Sequence, residues 1–254
     1  MKFDSMIKNA IIAFSLLALV GCSQKMSLPE AGQKVALKAS DQFVPKQAYD
    51  DEGKLVPYEV SENPYLTQTG KINKGSVLLF IEAKKALRAD DLDKAKQKLT
   101  VITQKDPELS GPWVLLGNIE VKREQYKEAE SLYQKAIQIN PENVNAYVAL
   151  AKVQRLMGEF NVAQNTLVLA LSLWSDFPEA HLNLAVLYDL YLNKPKLAQM
   201  HYESYLFLDD YKDPQVIAWY KEVLKRTQNY TSYVDEKAGY KKVEQTIAVN
   251  LPEG

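Results

Sequence analysis

The sequence predicts an all-α chain: a solenoid of about four helical hairpins closed by a C-terminal helix. Three observations carry this. Small residues recur in one register: Ala95, Ala129 and Ala163 stand at one fixed interval, and Ala198 follows a single position late. Larger residues keep step four positions later, at Leu99, Tyr133, Leu167 and Tyr202. Pro107 and Pro141 repeat the same interval. A repeat of about 34 residues is one supersecondary unit, too small to bury its apolar face alone, so neighbours must stack.

Residues 1–21 read as an address. Lys2 and Lys8 precede an apolar run, Ala10 to Val20, that is too short to cross a bilayer. Leu19-Val20-Gly21-Cys22 then resembles a bacterial lipobox, and Cys22 is the lone cysteine of the chain. The resemblance implies cleavage before Cys22, a diacylglycerol thioether on its sulfur and an amide-linked acyl chain such as palmitate. Several acyl chains anchor stably where one binds only reversibly. Ser23 in place of an aspartate favours the outer membrane, by resemblance to Gram-negative sorting.

Residues 22–75 lack sustained periodicity and contain Pro29, Pro45, Pro57 and Pro64. They read as a lipidated, mostly extended tether, although Tyr58 to Leu66 is richer in aromatics than a spacer needs, with docking on the folded part or on a partner as the alternative. The repeat array is expected over 76–212, as units 76–109, 110–143, 144–177 and 178–212. In the second unit Trp113, Leu116 and Gly117 lie on a first helix. Ala129, Tyr133 and Ala136 lie on the second, and Pro141 ends it. This pattern resembles the tetratricopeptide repeat, TPR, with Glu120 where a tyrosine is usual. The resemblance implies a right-handed superhelix. Small residues at Gly117, Ala151 and Ala185 let each first helix approach its mate; Ala95, Ala129, Ala163 and Ala198 do the same from the second. Asp213-Pro214 starts a further helix, with Asp as cap and Pro in the first turn. It is expected to close the array over 213–228, leaving a tail at 229–254 in which Val243, Ile247 and Val249 are spaced for a weak helix.

Composition narrows the function. The net charge is −1, without the basic excess of a nucleic-acid binder. One cysteine excludes a disulfide framework, and two histidines leave little for a metal centre. Gly70 to Gly75 has the glycine spacing of a phosphate loop but lacks its lysine and a preceding strand. No G-x-G or G-x-S-x-G occurs. His181 and His201 fall on different helices, neither with a second histidine at helical spacing, which excludes zinc binding of the HExxH type. Asp90-Asp91 and Asp209-Asp210 read as solvated turn acids. No enzyme and no cofactor are therefore expected.

What remains is a binding surface. By resemblance, first helices line the concave face, and the inward positions fall on Phe80 and Lys84, then Val114 and Asn118. Val148, Lys152 and Arg155 follow, then Leu182, Val186 and Asp189: an apolar strip with a basic middle and an acidic far end. Phe80 departs from the pattern of the carboxylate-clamp members. The expected protein is a periplasmic, outer-membrane TPR lipoprotein that binds protein partners of the envelope. It resembles in layout the pilotin lipoproteins of pilus and secretion systems. The alternatives are an adaptor for peptidoglycan enzymes, an accessory of a TonB-type system and, from another class, a cell-wall enzyme.

Overall fold

The computed structural model describes residues 39–68, 70 and 72–237. Cys22, the leader before it and Val243, Ile247 and Val249 lie outside them. Among the described residues there are nine α-helices and no strand. They are α1 Lys74–Arg88, α2 Leu92–Lys105, α3 Ser110–Lys122, α4 Tyr126–Ile139, α5 Val144–Leu156, α6 Phe160–Leu173, α7 Pro178–Leu190, α8 Pro195–Leu208 and α9 Pro214–Thr227. Sequential helices pack on one another as antiparallel hairpins, α1 with α2 through α7 with α8, and each hairpin stacks on the next. First helices also touch across units, α3 with α5 and α5 with α7.

Local chemistry sets the boundaries. Asn73, Asp91 and Asp213 cap α1, α2 and α9, each side chain accepting from a first-turn N–H. Pro178, Pro195 and Pro214 stand in the first turns of α7, α8 and α9, where a missing N–H costs nothing. The turns inside the first three units repeat one device. Asp90, Glu124 and Gly158 adopt φ of 56°, 60° and 79°. The next N–H, of Asp91, Gln125 or Glu159, reaches back to the carbonyl of Ala86, Glu120 or Gln154 at 2.8–2.9 Å. That closes each first helix with a left-handed residue and a six-to-one bond. The fourth unit has an extra residue at this turn, with Asn193 at φ 49°.

The phase positions are sealed inside. Ala95, Ala129, Ala163 and Ala198 are buried at the crossings, as are Leu99, Tyr133, Leu167 and Tyr202. Gly117 is required by close approach: a Cβ there would stand 2.5 Å from the Tyr133 ring. Glu120 is buried and takes an ion pair from Lys96 at 2.8 Å, joining α2 to α3.

The described part of the tether, expected to be a spacer, is instead a docked strap. Beyond a 3-10 helix at Ser40–Phe43, residues 39–68 are irregular, and Ser40, Val44 and Pro45 are buried. The fastening is polar. Asp176, buried before α7, accepts from the Tyr58 hydroxyl at 2.6 Å, the Ser61 N–H at 2.8 Å and the Ser61 hydroxyl at 2.6 Å. Trp174 Nε1 donates to the Ser61 carbonyl at 2.9 Å. Charge-assisted bonds of this kind are about twice as strong as neutral ones, which offsets the entropy of ordering the strap. The start of the expected tail, residues 229–237, is also docked. Buried Glu203 accepts from the Ser232 hydroxyl and, at 2.9 Å, the Tyr233 N–H. Val234 is buried and its carbonyl accepts from Gln47 N–H of the strap at 2.9 Å.

Candidate partner-binding groove

The turns of α3 and α5 place side chains three and four residues apart on one face. Val114 and Asn118 of α3 thereby meet Val148 and Lys152 of α5. These four line a cleft of about 430 Å³ between the first helices. Val121, Leu156, Phe177 and Glu179 complete its wall, so the start of α7 closes one side. The lining is mostly apolar, with Lys152 and Glu179 as exposed charges of opposite sign. Asn118 Oδ1 accepts from the Tyr133 hydroxyl at 2.7 Å, which orients the amide and leaves its N–H groups to donate. Burial raises the pKa of that phenol, so it stays a donor.

The other expected groove residues divide into three groups. Phe80 and Lys84 sit on α1 away from this cleft, the ammonium 6.0 Å from the ring centre. Leu182 and Val186 are half-buried against the main core. Arg155 and Asp189 are engaged within the fold. Arg155 donates to the Tyr191 hydroxyl at 3.0 Å and lies over its ring. Asp189 is latched to Arg226 of α9 and accepts a longer bond from the Tyr202 hydroxyl. The acidic far end expected from the sequence is thus a fastening for the capping helix. Leu156 escaped the sequence reading. Leu156 lies four residues after Lys152 on the same face, so the helical period alone points to it.

The two histidines are brought together. His181 Nε2 lies 2.8 Å from the Ser175 carbonyl, and its Nδ1 lies 2.9 Å from Nδ1 of His201. His201 Nε2 lies 3.0 Å from the Ser40 hydroxyl, which meets the Tyr188 hydroxyl at 2.8 Å. A carbonyl only accepts, so His181 carries its proton on Nε2 and accepts at Nδ1. His201 must then donate from Nδ1 and accept at Nε2 from Ser40, whose oxygen accepts from Tyr188. With both rings neutral every bond of this chain has one donor and one acceptor. Burial pushes the His181 pKa down to about 4, and burial with the neighbouring ring lowers that of His201 well below the usual value. These are structural histidines that fasten the strap. Among the described residues no group of three His, Cys, Asp or Glu is placed to hold a metal.

A TPR repeat family profile matches residues 117–158, from within α3 through α4 and α5 to the turn before α6. No curated protein matches the sequence. Among solved structures the chain is similar to PilF of Pseudomonas aeruginosa, with TM-score 0.58 and 17% identity over 71% of this chain and 78% of that one. It is similar to MamA of Desulfovibrio magneticus RS-1, with TM-score 0.53 and 13% identity over 71% and 95%. A TPR protein of Thermus thermophilus gives TM-score 0.51 and 23% identity over 59% and 81%. The helix pairs, their shared register and these likenesses make the fold a TPR-type solenoid.

Proposed function

We propose that the protein is a lipid-anchored periplasmic scaffold that holds protein segments in the cleft between α3, α5 and α7 during assembly of an envelope or surface machine. The observation that carries this is the cleft itself: about 430 Å³, apolar, on first helices, with an oriented Asn118 amide among its lining residues. An apolar wall with a few placed polar groups suits a peptide segment better than it suits chemistry. Lys152 and Glu179 on its rim call for an acid at one end of that segment and a base at the other. The strap enters at Ser40, which meets Tyr188 of α7 and His201 of α8, so an anchor at Cys22 would tie the chain to the membrane through that entry.

Two measurements test the reading. Lys152→Glu replaces the exposed basic charge of the cleft with an acidic one. Partner capture from envelope extract is expected to fall at least about tenfold, mainly through slower association, while the melting curve followed by circular dichroism shifts little. Undiminished capture of the same partners would move the site off this cleft. Cys22→Ser is expected to release the protein from sedimented membranes after a high-salt wash. Among the described residues no helix is long and apolar enough to cross a membrane, so none of these helices would retain it. A variant that still sediments would refute the lipid anchor.

A further inference from the structure

The two ends of the array are finished differently. At the C-terminal end α9 packs on α8 and latches to α7 through Arg226 and Asp189. At the other end α1 packs on α2, and among the described residues no helix of this array precedes it. Every later first helix lies against the second helix of the unit before: α3 on α2, α5 on α4, α7 on α6. Among the described residues, no helix takes the equivalent seat on α1. That seat is also apolar where a stacked helix would touch: Leu78 is 62% exposed, Ile81 58% and Val77 41%. Beside it Ile72, Val77 and Ile81 help to line a cleft of about 250 Å³ that reaches Ile102 and Leu109. A solenoid end left in this state is a place for stacking.

The charges on α1 say what stacks there. Lys74, Leu78, Ile81, Lys85 and Arg88 follow one another at intervals of four, three, four and three, the seam of a helix that pairs with a helix. Lys74, Lys85 and Arg88 flank the apolar pair, and Lys84 stands nearby. The one carboxylate of α1, Glu82, is taken by Lys98 at 2.7 Å. Lys85 and Arg88 suit the negative end of the helix, but Lys74 stands at the positive end, where its charge is unfavourable to α1 alone. A second copy of α1 would set these cations against each other. Residues 1–38 carry five lysines against two carboxylates, and residues 238–254 carry two against two, so neither outer segment complements the seat.

We propose that the outer face of α1 docks an amphipathic helix of a partner protein, with aliphatic residues on a three–four spacing and carboxylates beside them, seated as the second helix of a preceding unit would be. The site is separate from the cleft of α3, α5 and α7 and does not depend on it. Shape and apolar contact supply the affinity, and the flanking charges fix orientation and choice of partner.

The test uses the full chain and two labelled synthetic peptides. Both are three heptads long with leucine at the seam positions; one carries glutamate and the other lysine at the flanking positions. Fluorescence anisotropy is expected to show the glutamate peptide binding at least tenfold more tightly than the lysine peptide. Leu78→Glu with Ile81→Glu removes that binding. Lys85→Glu with Arg88→Glu inverts the preference and requires no change to an apolar residue; circular dichroism of both variants should match the parent. Lys152→Glu leaves it unaltered. Equal affinity for the two peptides, no binding of either, or binding that ignores the α1 substitutions overturns the proposal. So does a dimer by light scattering that Ile81→Glu dissolves, which would assign the face to a second copy. Binding to phosphatidylglycerol vesicles without binding to the acidic peptide would assign it to lipid and equally overturn it.

Discussion

Gly117→Ala is expected to destabilise the array by about 2 kcal/mol through overpacking, although alanine is the better helix former. Two effects oppose each other. Alanine in place of glycine within a helix gains about 1 kcal/mol of propensity. Against this, the added Cβ would lie 2.5, 2.8 and 2.9 Å from three ring carbons of Tyr133. That ring has no free direction: it is 2% exposed and its hydroxyl is bonded to Asn118 at 2.7 Å. Overpacking of a rigid core contact costs about 1–3 kcal/mol and sometimes more, so the clash wins. The melting temperature should fall by roughly 4–8 °C for a folded part of this size. Gly70→Ala, with open space around the new carbon, should not move it. The cause is separable by a double-mutant cycle: Tyr133→Leu removes the ring, and the penalty of Gly117→Ala should then shrink or change sign. An unchanged melting temperature in Gly117→Ala would mean that α3 and α4 do not cross at this contact.

The same crossing shows what the sequence could reveal. Its period is short-range information. Ala95, Ala129, Ala163 and Ala198 announce themselves because a helix crossing tolerates only small residues and each crossing recurs after one unit. The turns were less legible. Asp90, Glu124 and Gly158 share one left-handed conformation at the repeat interval, yet only Gly158 wears the residue that signals it. At the other two the six-to-one bond and the stacking of the following helix impose the conformation on a side chain that resists it. The strap was least legible of all. Its docking rests on Asp176, far along the chain from both Tyr58 and Ser61, and no periodicity links such partners. Tyr58 and Tyr65 were the available hint, since aromatics gain little in a solvated spacer. In the groove, Val114, Asn118, Val148 and Lys152 were readable because they follow the helical period from the signature positions. Asp189 misled for the opposite reason. Its spacing is that of a groove residue, and only the tertiary placement of Arg226 makes it a latch.

Mild acid is expected to release the strap before it melts the helices. The relay from Tyr188 through Ser40, His201 and His181 to the Ser175 carbonyl lies inside the fold, where burial holds both imidazoles neutral. A proton on either ring places a charge in an interior without water to solvate it, and a second proton would set two N–H groups against each other at 2.9 Å. The folded pKa of His181 is about 4, against an ordinary value of 6.5, because burial disfavours the charged form. Between those values the unfolded chain binds the proton and the folded chain does not. The stabilisation is therefore complete above pH 6.5 and is lost as pH falls toward 4, at about 1.4 kcal/mol per pH unit for each histidine held neutral. The Asp176 charge near His181 works against this trend but is the smaller influence. Glu203, whose pKa burial raises, acts in the opposite direction and fastens residues 232–234 rather than Ser40. The strap has no α-helix of its own and is fastened at Ser40 and Asp176, so it should yield first. The urea midpoint is expected to fall between pH 6.5 and 4.5, with protease cleavage within residues 39–68 rising before helical ellipticity is lost. His181→Gln combined with His201→Gln removes the titrating pair while leaving Glu203 and Asp176 in place. In that variant the midpoint should be lower at pH 7.5 but nearly flat over the same interval. A slope equal to that of the parent would show that other groups set the acid response and that the two rings do not hold the strap.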